Sequence, residues 1–466
     1  MRARFNVRRG AASIIAMLYL VLFSSLAVGF FAATTTSVQV AYNDDASQRA
    51  LLAAESGMEF VRYHLQQLNI PRKTKPDQLL NVSYTQLGQM INGSPNVGGR
   101  TISLSEGMIE VPGVGDQWVL VNNEVGKFRA SITQEGTDLR VRVAGAHKDA
   151  LSNARGIQLD FEITENKSPI FDFGVAARGP IRTGGASRIR GDTPANAKRG
   201  SILSASSDSV PVDIDGKEVS GSISITNPNG SVHYTGASVG GTTNTAEIAA
   251  NHIHKGVDEP EFPTIDADVF LPYVKNTYTG GNKLENVRIP ANTNPTFGGG
   301  SVLSGVIYVE SPNKLTFRGN TTVKGIIVVE NNPKGNASTN VLDFAGNVSA
   351  VSVKNLTAAD VPSLSPSELG ELRKMTGSFI LAHGFSATFT GSFDSIAGSI
   401  LADRISMTGN AGGKINGSLV GLTTAPLTLN GSSEVRIGER DAAVPAGVFF
   451  GRNYLPVMPS YEEFRP

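Results

Sequence analysis

Several groups of residues in this sequence have the types that chemistry requires. Gly236-Ala237-Ser238-Val239-Gly240 spells the G-x-S-x-G pattern of a serine nucleophile elbow, which works only on a sharp turn between a strand and a helix. The surrounding stretch is rich in Gly and Ser, so the match is expected to be coincidental. His252-Ile253-His254, with Asp258 and Glu259 close behind, holds donors suited to a transition metal. Alternating histidines in a polar loop are expected to be solvated instead. Asp266 and Asp268 could share a calcium ion, or cap a short helical turn. Arg188 and Arg190 flank Ile189 on the exposed side of a strand, where a solvated face, a glycan contact and a subunit contact are all open. Asp343, Asp394 and Asp403 stand singly, so the paired carboxylates of a glycosidase are not indicated. The absence of cysteine excludes disulfides, thiolate metal sites and cysteine nucleophiles. No catalytic residue, cofactor or metal is expected, and the chain does not read as an enzyme.

Forty-one basic and 41 acidic residues leave a formal charge of zero over 466 residues. Such a chain has no general electrostatic attraction to nucleic acid. Glycine, at 51 residues, is abundant, while charged residues make up only 18%; this bias favours turns and strands over helices. The charge is unevenly spread. Arg2, Arg4, Arg8 and Arg9 come first, and no acid appears before Asp44.

Residues 11–33 carry no charge, and a helix of that length exceeds the ~30 Å of a hydrocarbon core. The arginines before it place the N-terminus in the cytoplasm and the bulk of the chain outside. A removable signal peptide has a shorter apolar core. Here the helical pattern continues: Leu51, Ala54, Met58, Val61, Leu65 and Leu68 step by three and four residues along one apolar seam, and Pro71 follows. The economical reading is one helix over 11–68, half in lipid and half on a soluble domain. The other is a membrane helix, a loop and a second helix.

The leader Arg8-Arg9-Gly10, the run Ala11-Ala12-Ser13-Ile14-Ile15 and the later Ala53-Ala54-Glu55-Ser56-Gly57-Met58-Glu59 resemble the start of type IV pilin-like proteins. Among these, they are most similar to PilX-like minor pilins and the tip pseudopilin of type II secretion. The resemblance covers residues 1–68. It implies that a prepilin peptidase cuts between Gly10 and Ala11, and that the retained helix packs with other pilin-like subunits in a filament. It also implies residence in the inner membrane as a single-pass protein. Major pilins carry a glutamate at the fifth mature position, where this sequence has Ile15. That departure points to a minor, tip or accessory subunit and away from a repeating shaft. A plain signal anchor is the competing reading.

Between residues 118 and 163, apolar positions alternate as half-buried strands do: Phe128, Ala130, Ile132; Leu139, Val141, Val143; Ile157, Leu159, Phe161, Ile163. A turn at Glu135-Gly136 makes the first two a hairpin. The dry face of such a sheet and the helical seam are expected to cover each other, giving a small α+β, pilin-like domain over 69–170.

Residues 171–440 repeat. Glycine followed by an apolar run recurs at Gly200, Gly221, Gly305, Gly325, Gly377, Gly398 and Gly417, and within clusters the steps are 21, 20, 21 and 19 residues. Three short apolar strands per ~20-residue period predict a parallel β-helix, a solenoid of about seven coils. A sandwich or propeller does not explain the step. Insertions are expected at 242–300, as a strap along the rod, and at 355–376, where Ser365-Pro366-Ser367-Glu368 predicts a capped helix to Lys374. The tail, 441–466, reads as extended and aromatic, packing back on the rod. The fold class is therefore mainly β behind a long N-terminal helix. The leading functional reading is a membrane-anchored filament subunit. The alternative is an anchored envelope protein whose β-helix binds or degrades polysaccharide, with a surface glycan as partner.

Overall fold

From Arg8 to Gln66 the chain is one α-helix, α1, of 59 residues with no proline inside it. The computed structural model describes residues 8–466 apart from 123, 124, 149 and 167, and describes the backbone alone for 8–11, 150–152 and 394. At ~1.5 Å per residue α1 is about 88 Å long. It ends two residues before the predicted stop: Gln67 N donates to His64 O and Leu68 N to Leu65 O, a tightened last turn, and Pro71 forbids continuation. Leu68 is buried beyond the helix.

The chain divides into two units, Met1–Asn166 with Gly451–Pro466, and Lys167–Phe450. In the first, α1 is followed by α2 (Leu79–Ile91) and six strands: β1 (Ser103–Ser105), β2 (Met108–Val111), β3 (Val119–Asn122), β4 (Gly126–Glu135), β5 (Asp138–His147) and β6 (Ala150–Glu165). They form an antiparallel sheet in the order β1-β2-β4-β5-β6, with β3 beside β4. Ala130, Ile132, Val141, Val143, Ile157 and Phe161 point to one side and share a core with Ala54, Met58, Val61 and Leu65 of α1. The alternation and the helical seam meet because each is half of one dry layer.

The tail belongs to this sheet and not to the coils. Arg452–Pro456 and Glu462–Phe464 both pair antiparallel with β6. Asn166 N donates to Gly451 O at 2.8 Å, so the chain leaves this unit and returns to it at one point. Tyr454 is fully buried, and that burial pushes its phenol up to about 12.

The second unit is a stack of parallel coils. Val175–Ala177, Ile181–Gly184 and Arg188–Gly191 form one coil; Ile202–Ser204, Val212–Asp215 and Glu218–Val219 pair with them in parallel register. The next coil, from Ile223, stacks on these, and Ile253–Lys255 follows Ile223–Ile225. The stack ends beside α3 (Thr245–Asn251), whose Ile248 is buried. A second series begins with Asn276–Thr277 and continues through Val302–Val309, Thr321–Val329 and Ser378–Phe389 to Leu419–Gly421, each strand parallel to the last. That series closes on the first: Leu419–Gly421, Leu427–Leu429 and Glu434–Ile437 pair with the three strands of the coil that begins at Val175. The coil earliest in sequence thus lies inside the stack, with neighbours on both sides.

Residues 276–297, expected within an insertion, are coil strands; their short strands and Asn-rich turns hide the period. The strap is shorter, 256–275. Its Phe262, Ala267 and Phe270 pack on an outward row of apolar residues, Val306, Ile326, Val328, Leu381, Leu401 and Val420. α4 (Pro366–Lys374) begins with the predicted capping box, Ser365 with Glu368, and buries Leu369 and Leu372 in the same layer. Inside the coils, Phe297, Phe317, Phe344 and Phe389 form a ladder. Phe344 stacks on Phe317 at 4.5 Å and on Phe389 at 4.6 Å, with the rings nearly parallel.

Candidate functional site: the exposed apolar helix

No residue lying between Arg9 and Asp44 is charged, and α1 is exposed from residue 12 until Tyr42 meets His147 and Asn43 accepts from Asn153. Phe30 and Phe31 are 75% and 71% exposed, and Ile14, Met17, Leu22 and Leu26 are exposed as well. Among the described residues this is one helix long and apolar enough, by length and composition, to cross a membrane. Exposing so much continuous apolar surface to water is unfavourable, so the surface requires lipid or protein around it.

Five hydroxyls in this stretch bond to the helix itself. Thr34 Oγ1 donates to Phe30 O at 2.7 Å, Thr35 Oγ1 to Phe31 O at 2.7 Å, Thr36 Oγ1 to Ala32 O at 2.8 Å and Ser37 Oγ to Ala33 O at 2.9 Å. Ser25 Oγ does the same with Leu22 O. Each hydroxyl is thereby satisfied without water.

Below Asp44 and Asp45 the helix changes surroundings. Asp45 pairs with Arg49 at 2.8 Å, and Ala46 begins a buried stripe that continues through Ala50, Ala53, Ala54, Met58, Val61 and Leu65. Alanines let the helix axis come close to β5. A Cβ on Gly145 would lie 2.1 Å from Ala50 O and 2.4 Å from Ala54 N, and one on Gly57 would lie 2.6 Å from the Phe128 ring. Of the expected seam, Ala54, Met58, Val61, Leu65 and Leu68 are buried and Leu51 is half-buried. Arg2 and Arg4 lie outside the described residues, as do the side chains of Arg8, Arg9 and Ala11; the backbone at Gly10 and Ala11 is helical.

The remaining sequence candidates separate. Ser238 sits in a two-residue strand, Ser238–Val239, and among the described residues no imidazole is hydrogen-bonded to it. His252 instead covers Gly240, where a Cβ would stand 2.3 Å from its ring. Among the described residues no group of three His, Asp or Glu is placed to hold a metal. Asp266 caps a helical turn, accepting from Asp268 N at 3.2 Å and from Asn331 Nδ2 at 3.0 Å. Arg188 and Arg190 face Glu434, which also lies 3.6 Å from Arg436.

One contact escaped sequence reasoning. His383 Nδ1 is 2.9 Å from Asp403 Oδ1, and this hydrogen bond holds the imidazole above its ordinary pKa against the opposing effect of burial. The two residues are 20 apart, one period of the coil; that spacing is the signal that would have paired them.

No protein-family model matches the sequence, and no curated protein matches it. Among solved structures, the chain is similar to the competence-associated pilin ComZ from Thermus thermophilus, with 11% identity over 90% of this chain and 97% of that one. The TM-score is 0.27, too low for the likeness to bear on fold or function.

Proposed function

We propose that this protein is a minor or accessory pilin-like subunit of a type IV pilus or a type II secretion-like filament. Its N-terminus lies in the cytoplasm, α1 anchors it in the inner membrane, and the coil stack is displayed outside. The observation that carries this reading is the continuity of α1: one unbroken helix is bare and apolar for its first half and packed on a sheet for its second. Removal of the basic leader between Gly10 and Ala11 by a prepilin peptidase would leave that helix whole and begin the mature chain at its apolar end. Ile15 in place of a glutamate favours an accessory position over a shaft position.

Mass spectrometry of the mature N-terminus tests the proposal. A chain starting at Ala11, and a full-length chain when Gly10 is replaced by a bulky residue, are the expected results. An intact Met1, or a start near residue 34, overturns it.

A further inference from the structure

The coil period lengthens at several corners, by α3, by the segment holding α4 and, more modestly, by one short loop. Phe317 pairs with Phe297, 20 residues back, whereas Phe344 pairs with Phe317, 27 residues back. The seven additional residues lie in the loop before Val341. In repeat folds such insertions gather on the working face, because the coil itself has no structural use for them.

This loop is ordered from within and from below. Asn336 Oδ1 accepts from Ser338 N at 2.9 Å, and Thr339 Oγ1 accepts from Asn336 N at 3.1 Å. Pro333 rests on Gly384, where a Cβ would stand 2.3 Å from the proline ring; Gly384 has φ +77°, so both space and conformation call for glycine there. Asn331 is tied to the strap through Ala267 N, 2.6 Å from its Oδ1. Between the loop and the next two coils lies a cavity of about 410 Å³, lined by Asn332, Asn336, His383 and Asp403 among others. That volume falls within the ~300–1,000 Å³ of small-molecule sites.

Its chemistry is specific. Asp403 is only 15% exposed, whereas His383 is 56% exposed. A carboxylate can only accept, so the His383 Nδ1–H donates to Asp403 and Nε2 is left for a ligand. Asn332 and Asn336 add exposed amides, each able to donate and accept. The lining holds no aromatic ring and no cation other than the imidazole. Asp403 at the base disfavours an anion, and one carboxylate with one imidazole makes a poor metal site. We infer that this corner cleft binds a neutral, hydroxyl-rich saccharide, with His383 and Asn332 as its hydrogen-bonding partners.

The full chain in lipid nanodiscs, titrated with cellobiose, maltose, lactose and N,N′-diacetylchitobiose and followed by saturation-transfer NMR, tests this inference. At least one sugar is expected to bind saturably. Asn332→Ala and His383→Ala, both at exposed positions, should each weaken that binding about tenfold, the effect of one lost hydrogen bond, and Asn332→Ala, which breaks no bond to Asp403, should leave the thermal transition unshifted. His383→Gln should fall between wild type and His383→Ala. Absence of saturable binding by all four sugars overturns the inference, as does binding that both alanine variants leave intact. Leader processing is read independently of these titrations, so either proposal can fail alone.

Discussion

Arg190 Nη2 lies 2.5 Å from Glu434 Oε1, although 244 residues separate them in sequence. The pair spans the line where the last coil in sequence meets the first. Backbone register there is continuous, with Arg188 opposite Glu434 and Arg190 opposite Arg436, so Val175 has Ile202 on one side and Leu419 on the other. The stack is a permuted solenoid: its chain enters midway, winds to one end, crosses over by the strap, and winds back to where it began.

Glu434 faces Arg188, Arg190 and Arg436 together, so Glu434→Gln leaves three guanidiniums crowded at the join. All four groups are partly exposed, which limits the loss to about 1 kcal/mol at low salt. Urea unfolding of the full chain should show the loss shrinking as ionic strength rises. A loss that does not change with salt would rule out an electrostatic role.

The aromatic ladder should be far more sensitive. Phe344 is buried between Phe317 and Phe389, and Phe344→Ala opens a cavity in a repeating core that cannot collapse without breaking register. A cost of about 3–5 kcal/mol is expected in calorimetry of the coil transition.

Glycine at 145 sets how near α1 can approach β5. Gly145→Ala forces a backbone clash with Ala50 and should loosen the helix over 46–65 by about 1–3 kcal/mol, visible as faster amide exchange there. Gly29→Ala, with nothing within 4 Å of the added carbon, should be harmless or mildly stabilising.

Asp360 supplies a pH test. It accepts from Lys324 Nζ at 2.7 Å and from Thr357 N and Oγ1 at 2.9 and 2.7 Å, and these donors hold its carboxyl at about 2. A depressed carboxyl stabilises the fold only while ionised. The contribution is therefore complete above about 4 and lost as pH falls through about 2. Equilibrium unfolding across that window should show a decline of about 1 kcal/mol attributable to this group, and Lys324→Met should flatten it.

A charge in the bare half of α1 should weaken the proposed anchoring. Leu22→Arg adds about 2.5–3.5 kcal/mol to insertion, and carbonate extraction should move the variant from the membrane pellet towards the soluble fraction.

Much of this architecture is legible because short-range periodicity records which side of an element is dry. The three-and-four steps from Ala54 to Leu65 marked the buried stripe, and alternation at Val141 and Val143 marked its partner. The 20-residue step marked the coils for the same reason. Two things were not written locally. Coil order along the axis depends on the route of the strap, and Val175 carries no sign that Leu419 will lie beside it. The destination of the tail is equally non-local: Tyr454 reads as an ordinary aromatic until Phe161 and Ile163, its neighbours across the strand pair, are known. The His383–Asp403 contact was missed for another reason, since the acid was judged alone when its partner stood one period away.

Thr34, Thr35, Thr36 and Ser37 each direct their hydroxyls back to a carbonyl of their own helix. Hydroxyls answered within their own turns need no partner from outside the helix. Under the proposed role, exchanging acyl chains for the side chains of neighbouring helices would break none of these four bonds, so extraction from the bilayer would be a question of packing and not of hydration.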